Sequence, residues 1–325
     1  MKAKEYFLPM KKAKHGGPLG MGLWGFLAPE VATFAYAAFS ALVILFTWTG
    51  HANPSDLLWL RVQYLSGTLA LWVVYMLWPC RAMIGARIAY LLLMLGTWYP
   101  DTYAINSQMP CLDHVFASWE QHVFGMQPAL LFAKAYSSPV VSELMYFGYF
   151  SYYLFFVVTI AIVFVRHFDQ LERTAFIIFA AFYACYVIFL LVHVTGPQYY
   201  YLAAGIDEIA HANFPDVGNY FRDHSEALTA PGWSQGPFYR LVMAAHAAGE
   251  RPTAAFPSSH VAIATLVMLI VAKMRMWRWM LTLAVPFLFL CLSTVYIQAH
   301  YAIDALAGFL LAFPLFFLLG GRKLK

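Results

Sequence analysis

The sequence predicts an all-α, polytopic helical membrane protein with about eight transmembrane helices. Three observations carry that prediction. Hydrophobic residues make up 62% of the 325-residue chain and charged residues only 11%, against about 25% charged in an ordinary soluble domain. The apolar residues fall in blocks close to the ~20 residues that cross a bilayer. The basic residues sit between those blocks on alternating sides, as the positive-inside pattern requires.

Residues 1–22 are a basic tail carrying Lys2, Lys4, Lys11, Lys12 and Lys14 together with Gly and Pro. No short apolar run follows the charges directly, so this is not a signal peptide. It reads as a cytoplasmic anchor, with contact to anionic lipid as a further use. Residues 23–100 form an N-terminal three-helix region, with spans at about 23–49 and 57–78 and a third ending near 99. Residues 101–142 hold no window able to span, but LDHVFASWEQHVFG is amphipathic and suits an outer-face interfacial segment.

A core over 143–320 follows, with spans at about 143–165, 174–194, 259–273, 277–296 and 301–319, and then a cytoplasmic tail, 321–325. Between its second and third spans lies an aromatic-rich polar segment, 195–255, long enough to be functional and predicted to fold as a cap. With the N-terminus inside, fifteen of the twenty Lys and Arg fall on the inner side. Arg61, Lys134, Arg222, Arg240 and Arg251 are left outside. Both termini are therefore predicted to be cytoplasmic, in a bacterial inner membrane or a eukaryotic endomembrane. The net charge of +4 carries no argument for nucleic acid. Four cysteines are too few for a disulfide framework.

The chemistry concentrates in the last quarter. AFPSSHVAIA places His260 at the start of one span, and STVYIQAHYAIDALAG places His300 and Asp304 at the start of another. If the spans form as predicted, all three lie at one membrane face. His300 and Asp304 are four residues apart, so on a helix they share a face and the carboxylate reaches the imidazole. A carboxylate so placed fixes the tautomer and raises the basicity of the far nitrogen. His211, His224 and His246, with Asp207, Glu208, Asp216 and Asp223, lack a ligand spacing and read as a solvated loop. No metal or cofactor is predicted.

PSSHVAIATLV resembles the second signature of the type 2 phosphatidic acid phosphatase superfamily. STVYIQAHYAIDALAG resembles its third, Ser-Arg, five residues, His, three residues, Asp. The HYxxD form is similar to the inositol phosphorylceramide synthase branch, as are GPQYYY at 196–201 and SELMYFGYFSYY at 142–153. Two positions depart from the superfamily. Ala244 stands where its Lys-x6-Arg-Pro signature has lysine, before Arg251-Pro252, and Thr294 replaces the arginine of the third signature.

The resemblance implies a lipid phosphotransferase or phosphatase with His300 as nucleophile, oriented by Asp304, and His260 as proton donor and acceptor. A phosphohistidine would pass to water or to a ceramide- or diacylglycerol-like alcohol. Arg251 and the backbone at Ser258 and Ser259 are the expected phosphate contacts, with Gly196, Pro197 and His193 as further substrate candidates. Gly196-Pro197 also reads as a helix-stopping turn, and Glu143 as a structural group. Partners are a membrane lipid and the bilayer; the oligomeric state is not readable. The rivals are a bis-histidine haem carrier using His193, His260 or His300, and a transporter, against which the scarcity of mid-span charges counts.

Overall fold

The computed structural model describes residues 3–10, 19–51 and 53–325. Lys2, Lys11, Lys12 and Lys14 of the basic tail, and the side chain of Lys4, lie outside what is described, and with them the expected lipid contact. Among the described residues the chain forms thirteen α-helices and no strand. The first three are α1 (Ala28–Phe46), α2 (Pro54–Leu77) and α3 (Arg81–Asn106). Two short helices follow, α4 (Asp113–Phe124) and α5 (Pro128–Ala135). Then come α6 (Pro139–Arg166) and α7 (Leu171–Leu191). The cap holds α8 (Pro197–Ala204), α9 (Ile206–Ala210) and α10 (Pro237–Gly249). The chain closes with α11 (Ser259–Lys273), α12 (Trp277–Tyr296) and α13 (Ala302–Leu318).

Local sequence explains many of the starts. Six helices, α1, α2, α5, α6, α8 and α10, carry proline in the first turn. There its missing N–H costs nothing and its fixed φ suits the helix. Gly196-Pro197, read from sequence as a stop, instead opens α8: α7 has already ended at Leu191. Six helices are long and apolar enough to cross a membrane: α1, α2, α3, α6, α7 and α12. At 15 and 17 residues, α11 and α13 rise only about 22 and 26 Å, short of a ~30 Å hydrocarbon layer. They are shorter apolar helices of the same bundle.

The main core lies between α1, α3, α6, α7 and α11, with α7 at its centre. Toward their ends the spanning helices contain buried ion pairs. Arg87 on α3 donates from Nε to Glu30 on α1 at 2.7 Å and pairs with the same carboxylate through Nη2. Arg61 on α2 meets Asp101 on α3 at 2.6 and 3.1 Å. A lone charge at this depth is costly, and complementary partners on adjacent helices remove that cost. Both pairs fasten α3.

The segment 195–255 does fold as a cap. Glu143, at the start of α6, holds it down by accepting the first-turn amides of α10, Phe238 N at 3.0 Å and Tyr239 N at 3.1 Å. That is the structural role expected of Glu143.

Removing one partner of a buried pair leaves a stranded charge, whereas neutralising both leaves an uncharged contact. Arg87→Met should therefore destabilise the detergent-purified protein by about 3–5 kcal/mol, and Arg87→Met/Glu30→Gln by clearly less. Thermal unfolding of the two variants checks this; equal losses would mean the pair is not the stabilising element.

Candidate active site

The site forms where α11 and α13 cross. Ser258 caps α11, its Oγ accepting from Val261 N at 3.4 Å, while its own amide donates to the carbonyl of Asp304 at 3.0 Å. The approach needs Gly308: a Cβ there would lie 2.3 Å from the Ser258 carbonyl oxygen, and that backbone atom has little freedom to move. The PSSH turn and the start of α13 are thereby locked together, bringing His260 beside His300.

His300 precedes α13 and is buried. Its Nδ1 lies 2.7 Å from the carbonyl oxygen of Ala255. A carbonyl only accepts, so Nδ1 carries the proton and Nε2 the lone pair. Nε2 faces Nδ1 of His260 at 3.3 Å. Burial pushes the His300 imidazole down to about 4, against smaller upward effects of the Ala255 carbonyl and the Glu250 carboxylate, so the ring is neutral at pH 7. The His260 ring packs on Tyr149, centroids 4.6 Å apart and 27° from parallel, and on Tyr152 at 4.2 Å.

Asp304 departs from the sequence expectation. His300 is not on the helix with it, and the carboxylate stops 3.8 Å from Nδ1. Its Oδ2 instead accepts from Tyr301 N at 2.9 Å, capping α13, and the Ala255 carbonyl takes over the orienting bond to His300. Asp304 Oδ1 is buried with no hydrogen-bond partner.

Two carboxylates that the sequence reading left in the interfacial segment prove central. Asp113 is fully buried and accepts five hydrogen bonds: from Cys111 Sγ, Thr195 N, Thr195 Oγ1, Gly196 N and Tyr301 Oη, all between 2.7 and 3.1 Å. Glu120 is equally buried and takes Ile303 N at 3.2 Å at the start of α13, its Oε1 left without a partner. α4 thus turns its two acidic residues inward with Phe116 and Ala117. No short-range pattern marks either residue, since apart from Cys111 their partners lie about 80 to 190 positions away.

Gly196 has φ +93° and lies so close to Ala299 that a Cβ would sit 2.5 Å from its carbonyl oxygen. Pro197 is buried beside it. His193 is engaged at both nitrogens by carbonyls, Met109 O at 3.0 Å and Pro252 O at 3.1 Å, which gives it a structural contact. Arg251 is exposed, donating to the carbonyl of Glu250. Among the described residues no group of three or more His, Cys, Asp or Glu is placed to hold a metal.

A cavity of about 400 Å³ opens beside the histidines, bounded by Ser259 and His260, by tyrosines of α3 and α6, and by Glu250 at the end of α10. A family model described as the PAP2 superfamily matches residues 114–318, well over half of the chain. No curated protein and no solved structure matches it.

Burial pushes the Glu120 carboxyl up to about 8, the bond from Ile303 N opposing and nearby Asp304 adding to the rise. From the ordinary 4.5 up to about 8 the folded state keeps a proton that the unfolded state has released. Stability therefore falls as pH rises through that window. Glu120→Gln should flatten the fall in Tm between pH 5 and 8; an unchanged slope would mean another group titrates. Asp113→Asn replaces an all-acceptor group by one that turns a donor toward five donors. It should cost about 2 kcal/mol or more, where Thr195→Val, losing one of the five, costs about 1 kcal/mol; chemical denaturation of both compares them.

Proposed function

The chain belongs to the PAP2 superfamily, and on that premise we propose that it is a membrane lipid phosphotransferase or phosphatase working through a phosphohistidine on His300. The observation that carries this reading is the histidine pair. Nδ1 of His300 is pinned by the Ala255 carbonyl, and Nε2 is directed at Nδ1 of His260 3.3 Å away. Such an arrangement supplies a neutral nucleophile and a proton carrier on opposite sides of one small volume.

A phosphate entering between the rings separates them. His260, having taken a proton from solvent to become the imidazolium as the anionic phosphate binds beside it, is the acid. The Nε2 lone pair attacks phosphorus, the bond from phosphorus to the departing alcohol oxygen breaks, and His260 gives that oxygen its Nδ1 proton and is left a neutral imidazole. An acceptor hydroxyl then returns a proton to His260 and attacks the phosphohistidine, restoring His300. The amides of Ser259 and His260, in the first turn of α11 and without intrahelical acceptors, offer the phosphate a helix N-terminus, with Arg251 at the rim. Asp304, Asp113 and Glu120 act by holding the start of α13, and Gly196-Pro197 by packing beneath the His300 turn.

The positive-inside count supports a site at the outer, periplasmic or lumenal, face with both termini cytoplasmic. The apolar, tyrosine-lined cavity beside His260, about 400 Å³, supports retention of a head group on phosphorus and hence its transfer to a lipid alcohol, in the manner of the inositol phosphorylceramide synthases, ahead of simple hydrolysis.

Purified protein in detergent should release phosphate from, or transfer a phospho-head group between, lipid phosphates in the presence of EDTA. His300→Ala should lower turnover at least about a thousandfold, the order seen for removal of a nucleophile. Because His300 loses its lone pair only as pH falls through about 4, kcat/KM should stay level below pH 6 before declining. Unchanged turnover in His300→Ala would make the pair structural.

A further inference from the structure

We propose that the cavity beside His260 receives a cationic, ammonium-bearing phospholipid head group, held by Glu250 and the surrounding tyrosines. This deepens the proposed lipid phosphotransfer and rests on it. The argument begins with charge. Among the described residues lining the cavity, Glu250 and His260 are the only ionisable side chains besides tyrosine, and no Lys or Arg is among them. Arg251 is exposed outside the wall. His246 stands behind Tyr149, edge-on to its ring.

Glu250 is held by neutral donors alone, Tyr99 Oη at 3.2 Å and Gln198 Nε2 at 3.4 Å, both on Oε1. A phosphate brought to the histidines therefore shares a poorly hydrated volume with a carboxylate. Like charges in such a place repel far more strongly than in water. A bare phosphomonoester adds anionic charge, and a neutral polyol head leaves that repulsion standing. An ammonium carried a few bonds from the phosphate offsets it from within the substrate.

The wall has the matching chemistry. Tyr99, Tyr149, Tyr152 and Tyr153 line the cavity with Glu250, and aromatic faces with a carboxylate are the combination that binds alkylated or primary ammonium groups. Tyr99 comes from α3, ahead of residue 114 where the family match begins. The N-terminal helices thus supply part of the head-group selectivity.

The test uses the full chain in micelles with lipids of one acyl composition: phosphatidylcholine, phosphatidylethanolamine, phosphatidylinositol, phosphatidylglycerol and phosphatidic acid. Release or transfer of the phospho-head is followed for wild type, Glu250→Gln and His300→Ala. The expected result is a kcat/KM for the ammonium lipids about tenfold or more above the others, the order a desolvated cation–π site supplies. Glu250→Gln should erase that ratio while sparing or raising turnover of phosphatidic acid. His300-dependent turnover with equal or higher kcat/KM for phosphatidic acid or phosphatidylinositol would overturn the inference and leave the phosphotransfer reading intact. So would turnover of phosphatidic acid that needs a divalent cation and Glu250. Turnover of no lipid, or turnover indifferent to His300→Ala, would overturn the phosphotransfer reading itself.

Discussion

The carboxylate of Asp113 is the constraint on which the site depends. It is fully buried, so its lone pairs must be met from within, and they are met from three separate stretches of chain. One is the turn before α4, one the Thr195-Gly196 turn, and one Tyr301, the neighbour of His300. Next to it, Ala255 N donates to the carbonyl of Val194, and the Ala255 carbonyl takes the proton of His300. The carboxylate therefore fixes a loop, the loop fixes a carbonyl, and the carbonyl fixes the tautomer of His300. Buried polar networks of this kind are rigid because any partial rupture strands a polar group.

Legibility in the sequence followed the range of the interaction. The bounds 259–273 and 277–296 were readable to the residue, because apolar blocks bounded by charges are local. His260 and His300 were readable because small residues and polar groups at a helix start are a compact pattern. Asp304 was found, but its hydrogen bond was not foreseen. Four-residue spacing implies contact only if both residues are helical, and α13 begins after His300. Asp113, Glu120 and Glu250 gave no signal, since each gains its meaning from partners far along the chain. The Ala255 carbonyl was invisible, because any residue has one.

The ion pairs of the N-terminal helices belong to the same picture. Arg61–Asp101 and Arg87–Glu30 both end on α3, the helix that carries Tyr99 to the cavity. Apolar surfaces between lipid-embedded helices give little sense of register, since lipid tails are as apolar as leucine. Two charge pairs at different depths fix both the rotation and the height of α3. The three helices ahead of the family match are thus held to one another in a defined register.

The contact between His260 and His300 also sets the chemistry of the empty site. While the rings touch, the proton on Nδ1 of His260 covers the lone pair of His300. On the proposed phosphotransfer, the group that would expel the leaving alcohol is also the one that keeps His300 latent beforehand. A membrane surrounds this protein with phosphodiesters at enormous local concentration, and an uncovered imidazole would meet them continually. Here only a ligand bound well enough to part the rings unmasks nucleophile and acid together. Reactivity toward small histidine-modifying reagents should accordingly be suppressed in the empty protein, a chemical quietness that follows from 3.3 Å between two nitrogens.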